Sequence, residues 1–231
     1  MRRVFATTFA VAAALSLTLS AQMQMTEALR KVDGAGIHAA GWKGKVDATE
    51  KTAKIEDSKF DLNGGVFTVA TSPAASYWNP ANTATGDYTV SATFNEPAYM
   101  SSNDHPHPYG VFIGGNKLDT EQASLLYCAA YGNGTYILRG FGPAAFQVGG
   151  RRPGTNAAVK KADAKGQPVT QEISMSVKAG KVSCSINGAE VASVDKAEVT
   201  GAGKLDSLDG IAGIRVAHNV DVTISNFKVT K

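Results

Sequence analysis

DGIAGIRVAHNVDVTISNFKVTK, residues 209–231, decides the fold. Ile211, Ile214 and Val216 form one apolar set, and Val220, Val222 and Ile224 alternate with polar residues in a second. Alternation of this kind marks a strand with one buried and one wet face, so the stretch predicts two β-strands joined by a hairpin turn that holds His218. The phase then slips. The next apolar residues are Phe227 and Val229, odd-numbered where the preceding set is even. A β-bulge near Ser225 and Asn226 absorbs the extra residue and bends the strand. A bent closing strand at the centre of a sheet implies a large all-β core supplied by the rest of the chain.

Upstream the same pattern recurs at short spacing. Tyr88, Val90, Ala92 and Phe94 alternate with Thr89, Ser91, Thr93 and Asn95. Residues 54–62 and 66–70 flank Asn63, Gly64 and Gly65, which accept the positive φ that a tight hairpin demands. Residues 124–131 and 135–141 flank Gly132-Asn133-Gly134; Ile173, Met175 and Val177 turn at 178–181 into Val182, Cys184 and Ile186; Asn187-Gly188 turns again into 189–194. Segments 109–113, 124–131 and 135–141 are apolar on both faces, which predicts central strands. Residues 76–80 read as a loop, and 156–164 as a short helix inside the irregular stretch 149–168. Trp42 reads as a core anchor. About ten strands without a long amphipathic helix predict one all-β domain over 41–231, a two-sheet antiparallel jelly-roll sandwich. Residues 22–40, broken by Gly34 and Gly36, read as a flexible N-terminal segment.

The first 21 residues have the form of a signal peptide. Met1-Arg2-Arg3 is a basic start, 4–19 is an apolar run, and Ser20-Ala21 offers a cleavage site after Ala21. Thr7, Thr8, Ser16 and Thr18 make the run too polar and too short for a membrane span, so no integral membrane segment is expected after cleavage. The paired arginines read as an ordinary basic start rather than a twin-arginine address. No cysteine stands immediately after the cut, which argues against a lipoprotein. A secreted or periplasmic protein is expected. Cleavage takes two arginines and no acids from a balance of 23 basic to 20 acidic residues, leaving the mature chain near neutrality. That excludes the basic signature of a nucleic-acid binder. Cys128 and Cys184 would enter an oxidising compartment, where they are either a disulfide or a pair of buried thiols.

Tyr77-Trp78-Asn79-Pro80, residues 86–90, Tyr109 through Gly115, Ile186-Asn187-Gly188 and the ending 210–229 together resemble small secreted bacterial proteins with a concanavalin A-like (laminin-G-like) jelly roll. The resemblance covers residues 40–231 and extends distantly to 3-keto-disaccharide hydrolase-like domains. It implies a concave sheet face as the place for sugar. It does not extend to the paired acids that β-glucanases of this fold carry on one strand; the nearest acids here, Asp119 and Glu121, fall in a loop.

On that implied face Arg139 and Arg215 stand out. Each interrupts an apolar strand, where a charge is costly unless it is paired or wet. A planar guanidinium suits hydroxyl-rich rings, and Tyr109, Tyr131, Tyr136 and Trp78 are candidates for stacking on them. The competing reading pairs the arginines with acids on neighbouring strands and puts the aromatics in the core. His105 and His107, with Asp104 beside them, are ligand-type residues, but the interleaved prolines favour three-residue turns and a stiff surface loop. No metal site and no cofactor are expected. The basic residues of 151–165 read as a solvated loop. Three functions remain open: a carbohydrate- or glycoconjugate-binding module, a glycoside-cleaving enzyme of the 3-keto-disaccharide hydrolase type using Asp104, His105, His107 or His218, and a structural envelope protein.

Overall fold

The computed structural model describes residues 28–150 and 152–231. The expected leader and its cleavage point lie outside them. In chain order the strands are β1 (Gly36–Ile37), β2 (Lys43–Val46), β3 (Lys59–Asn63), β4 (Val66–Ala70), β5 (Ala75–Ala84), β6 (Tyr88–Glu96), β7 (Pro108–Asn116), β8 (Ser124–Tyr131), β9 (Thr135–Phe141), β10 (Phe146–Val148), β11 (Gly154–Thr155), β12 (Val169–Lys178), β13 (Lys181–Ile186), β14 (Ala189–Asp195), β15 (Gly210–Val216) and β16 (Asp221–Thr230). The first sheet runs β1-β3-β4-β16-β6-β12-β13-β14; the second runs β10-β9-β8-β7-β15-β5-β2, with β11 beside β9. Pairing is antiparallel apart from the two-residue β1, which lies parallel to β3. The molecule is a two-sheet jelly-roll sandwich.

The closing stretch forms two strands, but they do not pair with each other. β15 lies between β7 and β5, and β16 lies between β4 and β6 in the opposite sheet. The turn that holds His218 therefore carries the chain from one sheet to the other rather than closing a hairpin. β15 is buried over Ala212–Val216 on both faces, a pattern that only a central strand can satisfy. β16 loses register with β6 between Ser225 and Lys228, and Asn226 takes φ +56°, so the bulge sits where the phase slip put it.

Residues 76–80 belong to strand β5, not to a loop. The ladder to β15 runs through Trp78, then resumes only at Thr83, so Pro80 lies in a bulge where its missing N–H breaks no ladder bond. The expected helix over 156–164 is also absent. Buried Gln171 takes its place: its Nε2 donates to the Lys160 carbonyl at 2.6 Å, and its Oε1 accepts from the Lys160 amide at 3.1 Å. Those bonds satisfy backbone groups that a helix would otherwise have paired internally.

The two inner faces supply one continuous core. Tyr77 stacks on Phe60 at 4.3 Å and Phe94 on Tyr109 at 5.6 Å. Trp42 packs against Phe60, Phe67 and Phe227, with ring centroids within 5.4 Å. Cys128 of β8 and Cys184 of β13 are bonded across the sandwich, their Cα atoms 6.0 Å apart. The described part of the 22–40 segment is tied down. Arg30 forks onto Asp221 at 2.6 and 2.7 Å, donates to the carbonyls of Thr71 and Val220, and its backbone amide donates to Asn219. Among the described residues no helix is long and apolar enough to cross a membrane.

Candidate functional site

Strand register fixes what the second sheet shows on its outer side. Residues directly opposite one another share a face. One row across the sheet therefore reads Gln147, Arg139, Tyr127, Phe112, Gly213, Trp78, Lys43. The next reads Ile137, Ala129, Gly110, Arg215, Ser76, Lys45. Glycine at 213 is required by packing: a Cβ there would lie 2.5 Å from carbons of the Phe112 ring. The result is a second, smaller apolar cluster outside the main core, holding Trp78, Phe112, Leu118, Leu125, Tyr127 and Ala129.

This face is closed at one end and open at the other. Over β2 and β5 the loop between β7 and β8 folds across it. Lys43 Nζ meets Asp119 at 3.1 Å, and Lys45 Nζ meets Glu121 at 3.2 Å and also donates to the Thr120 carbonyl. Leu118 of the same loop joins the apolar cluster, and Trp78 beneath it is only 2% exposed. At the β9–β10 end the face opens into a depression of about 470 Å³ lined by Arg139, Ala145, Gln147 and Gly150.

The two arginines have different roles. Arg215 is consumed by structure. It pairs with Asp47, donates to the Val216 carbonyl at 3.2 Å, and lies over the rings of Tyr127 and Phe141 at 5.5 Å. Burial pushes the Tyr127 phenol up, and the Arg215 and Arg139 charges pull it part of the way back. Arg139 has no carboxylate partner among the described residues. Its guanidinium lies 5.7 Å from the Phe141 ring and beside the Tyr127 hydroxyl, and among the described residues its buried Nε, like that of Arg215, finds no hydrogen-bond acceptor. The apolar strand around Arg139 thus carries a cation that opens to a depression, whereas the one around Arg215 carries an internal ion pair.

The aromatic candidates divide by face. Tyr109 is fully buried on the inner face against Phe94, so it is core and cannot stack on a ligand. Tyr136 also points inward, and its hydroxyl donates to the Val191 carbonyl at 2.6 Å. Trp78 is on the outer face but sealed by the β7–β8 loop. Tyr131 shares the outer face by two-residue alternation with Tyr127 and stays partly exposed. Its phenol is pushed up to about 12 by burial and by Tyr127, with Arg139 pulling the other way.

His105 and His107 lie elsewhere, before the start of β7, on the rim of the sandwich. Their rings are 4.3 Å apart, and His107 in turn meets His218 at 4.1 Å. Asp104 hydrogen-bonds His105, and Glu50 lies 3.5 Å from His218. The three imidazoles converge because the β6–β7 loop and the crossover after β15 end at the same edge, which no local spacing announces. Among the described residues no group of three or more His, Cys, Asp or Glu side chains is arranged to hold a metal. Of the 151–165 segment, Arg152 lines a neighbouring depression with Gly149, Gly150 and Tyr136. Sequence reasoning missed Gln147, which lies on a three-residue strand too short to show alternation, and Tyr127 and Phe141, whose apolar neighbours hide which face they take.

No protein-family model matches the chain, and no curated protein matches it. Solved structures do. A Bacteroides ovatus mixed linkage glucan PUL GH16 protein, in complex with a product, aligns with a TM-score of 0.50 at 11% identity over 81% of this chain and 94% of its own. A Bacillus subtilis protein of unknown function with a galectin-like fold aligns at 0.49 and 12% identity, over 82% of this chain and 88% of its own. A carbohydrate-binding module from Bacillus subtilis aligns at 0.45 and 11% identity, over 83% and 96%. At these identities the likeness is one of fold, and the fold is that of the jelly-roll sandwiches.

Proposed function

We propose that this chain is an exported sandwich that binds carbohydrate at the β9–β10 end of the outer face of its second sheet. The carrying observation is the open depression floored by Arg139 and Gln147 on a face otherwise sealed by its own loop and its own ion pairs. A guanidinium and an amide side by side offer several donors and an acceptor to the hydroxyls of a sugar ring. Tyr131 and Phe141, partly exposed on the same face, offer flat apolar surface to its C–H side. The lining holds no carboxylate or imidazole among the described residues, which supports binding in preference to cleavage there.

A glycan array on the mature protein tests this reading. Arg139→Met should abolish binding without the large loss of stability that a stranded carboxylate would bring, because no carboxylate partner is left behind among the described residues. Arg215→Met is the contrasting control: it leaves Asp47, 18% exposed, without its cation, and should cost about 3–5 kcal/mol. A large fall in the melting temperature of Arg139→Met would sink the binding role of that residue. Export is tested separately by intact mass of protein from the cell-envelope fraction, which should lack residues 1–21; a full-length mass refutes the leader.

Glycoside cleavage is the second reading, and one observation favours it. His105, His107, His218 and Glu50 converge on one rim of the sandwich. Hydrolysis of the bound glycans overnight, lost in His107→Gln, would move the assignment from binding module to enzyme.

A further inference from the structure

The charge balance of the outer face narrows the class of sugar, on the reading that the depression binds one. β2 and β15 place Lys43, Lys45 and Arg215 on this face, and each has its own carboxylate: Asp119, Glu121 and Asp47. β9 places Arg139 there, and among the described residues no carboxylate answers it. The open end of the face is therefore positive, while the closed end is neutralised by its own side chains. A half-buried guanidinium without a counter-charge is costly to keep. It becomes favourable when an anion supplies two parallel acceptors to its fork.

We infer that the ligand is an anionic saccharide, whose carboxylate or sulfate docks on Arg139 while Gln147 takes a neighbouring ring hydroxyl. Gln147 stands directly opposite Arg139 in the β9–β10 ladder, so the two side chains leave the sheet side by side. The loop acids cannot compete for Arg139, because Asp119 and Glu121 are held over β2 at the far edge of the same sheet. Carboxylated and sulfated sugars share this chemistry, and the experiment separates them.

The test uses the mature protein on an array that pairs each acidic glycan with a neutral counterpart. Oligogalacturonate is paired with its methyl ester, sialylated with desialylated chains, and sulfated with desulfated chains. Acidic members should bind at least about tenfold more tightly than their partners, since a bond to a charged group is at stake. Binding should weaken as sodium chloride is raised from about 0.05 to 0.5 M, because added salt screens the exposed charge. Arg139→Gln should erase the difference within each pair, and Gln147→Ala should weaken binding but keep the acidic preference. Neither variant should melt below the wild type. Equal binding of acidic and neutral members overturns the anionic class and leaves carbohydrate binding standing. Absence of binding to any glycan overturns both. An acidic preference that survives Arg139→Gln with an unchanged melt places the anion elsewhere and refutes this site. If Arg139→Gln fails to fold, the Gln147→Ala result decides: acidic binding undiminished in that variant refutes the depression.

Discussion

Glu96 ends β6 with its side chain turned into the protein, and the residue is only 5% exposed. Loss of hydration raises its pKa from 4.5 to about 7; the Met100 amide at 3.3 Å and the nearby Tyr109 hydroxyl oppose the rise, and Asp221 adds to it. Asp221 is itself clamped by Arg30, which leaves that cation little to spare for Glu96. Tyr99 and Tyr109 face the same carboxyl, and burial raises both phenols, so neither ionises at neutral pH. Between the two pKa values the folded chain holds a proton that the unfolded chain has released. Stability therefore falls as pH rises from 4.5 through about 7; the penalty is complete above 7 and absent below 4.5. Its size is on the order of 3 kcal/mol. Glu96→Gln keeps the shape and removes the charge. It should raise the melting temperature at pH 8, leave it unchanged at pH 4, and flatten the slope between. Parallel pH curves for the two proteins would show that the carboxyl stays hydrated.

Turns and strands were the parts of this molecule that could be read in advance, and the turn at Asn187-Gly188 shows why. Asn187 takes φ +51° and Gly188 φ +83°, so both central residues are left-handed, as a two-residue hairpin matching the strand twist requires. A Cβ on Gly188 would meet nothing within 4 Å, so any penalty comes from the backbone conformation alone. Gly188→Val should cost about 1 kcal/mol or more by urea unfolding, and an unchanged midpoint would mean the turn relaxes to another type. Two-residue alternation likewise located β6, β12, β13 and the bulge in β16, because burial on one face is a local property of each strand. Which strands pair is not local. β15 and β16 follow one another directly yet serve opposite sheets, and β5 was hidden because Pro80 and Asn79 look like a loop until the bulge that houses them is seen. The site divides in the same way. Arg139 was visible as a charge in an apolar strand. The pairing of Arg215 with Asp47, 168 residues away, and the loop that seals Trp78 depend on contacts that no window of sequence contains.

At the scale of the whole molecule, the two sheets meet through apolar side chains, the hydrogen bond from Tyr136 to the Val191 carbonyl and one covalent bond. Cys128 lies in β8, near the centre of the second sheet, and Cys184 in β13, toward one side of the first; both are fully buried. The bond spans 56 residues of chain, and closing a loop of that length in the unfolded state is worth about 4 kcal/mol in the chain-entropy account. It also ties β12–β14 to the strands that carry Arg139, since Cys128 faces Leu138 in the β8–β9 ladder. Cys128→Ala with Cys184→Ala should therefore lower the unfolding free energy by a few kcal/mol while leaving the strands paired, because the surrounding core of Val111, Met175 and Val182 stays in place. Burial makes a second, kinetic demand. A reductant has to wait for the core to open, so folded protein in dithiothreitol should trap no free thiol until it is heated or brought into urea. Chain made in a reducing compartment should melt with the double alanine variant, and chain made in an oxidising one should melt higher. Equal melting of the oxidised and reduced forms would mean that the sandwich holds its two sheets in register by packing alone.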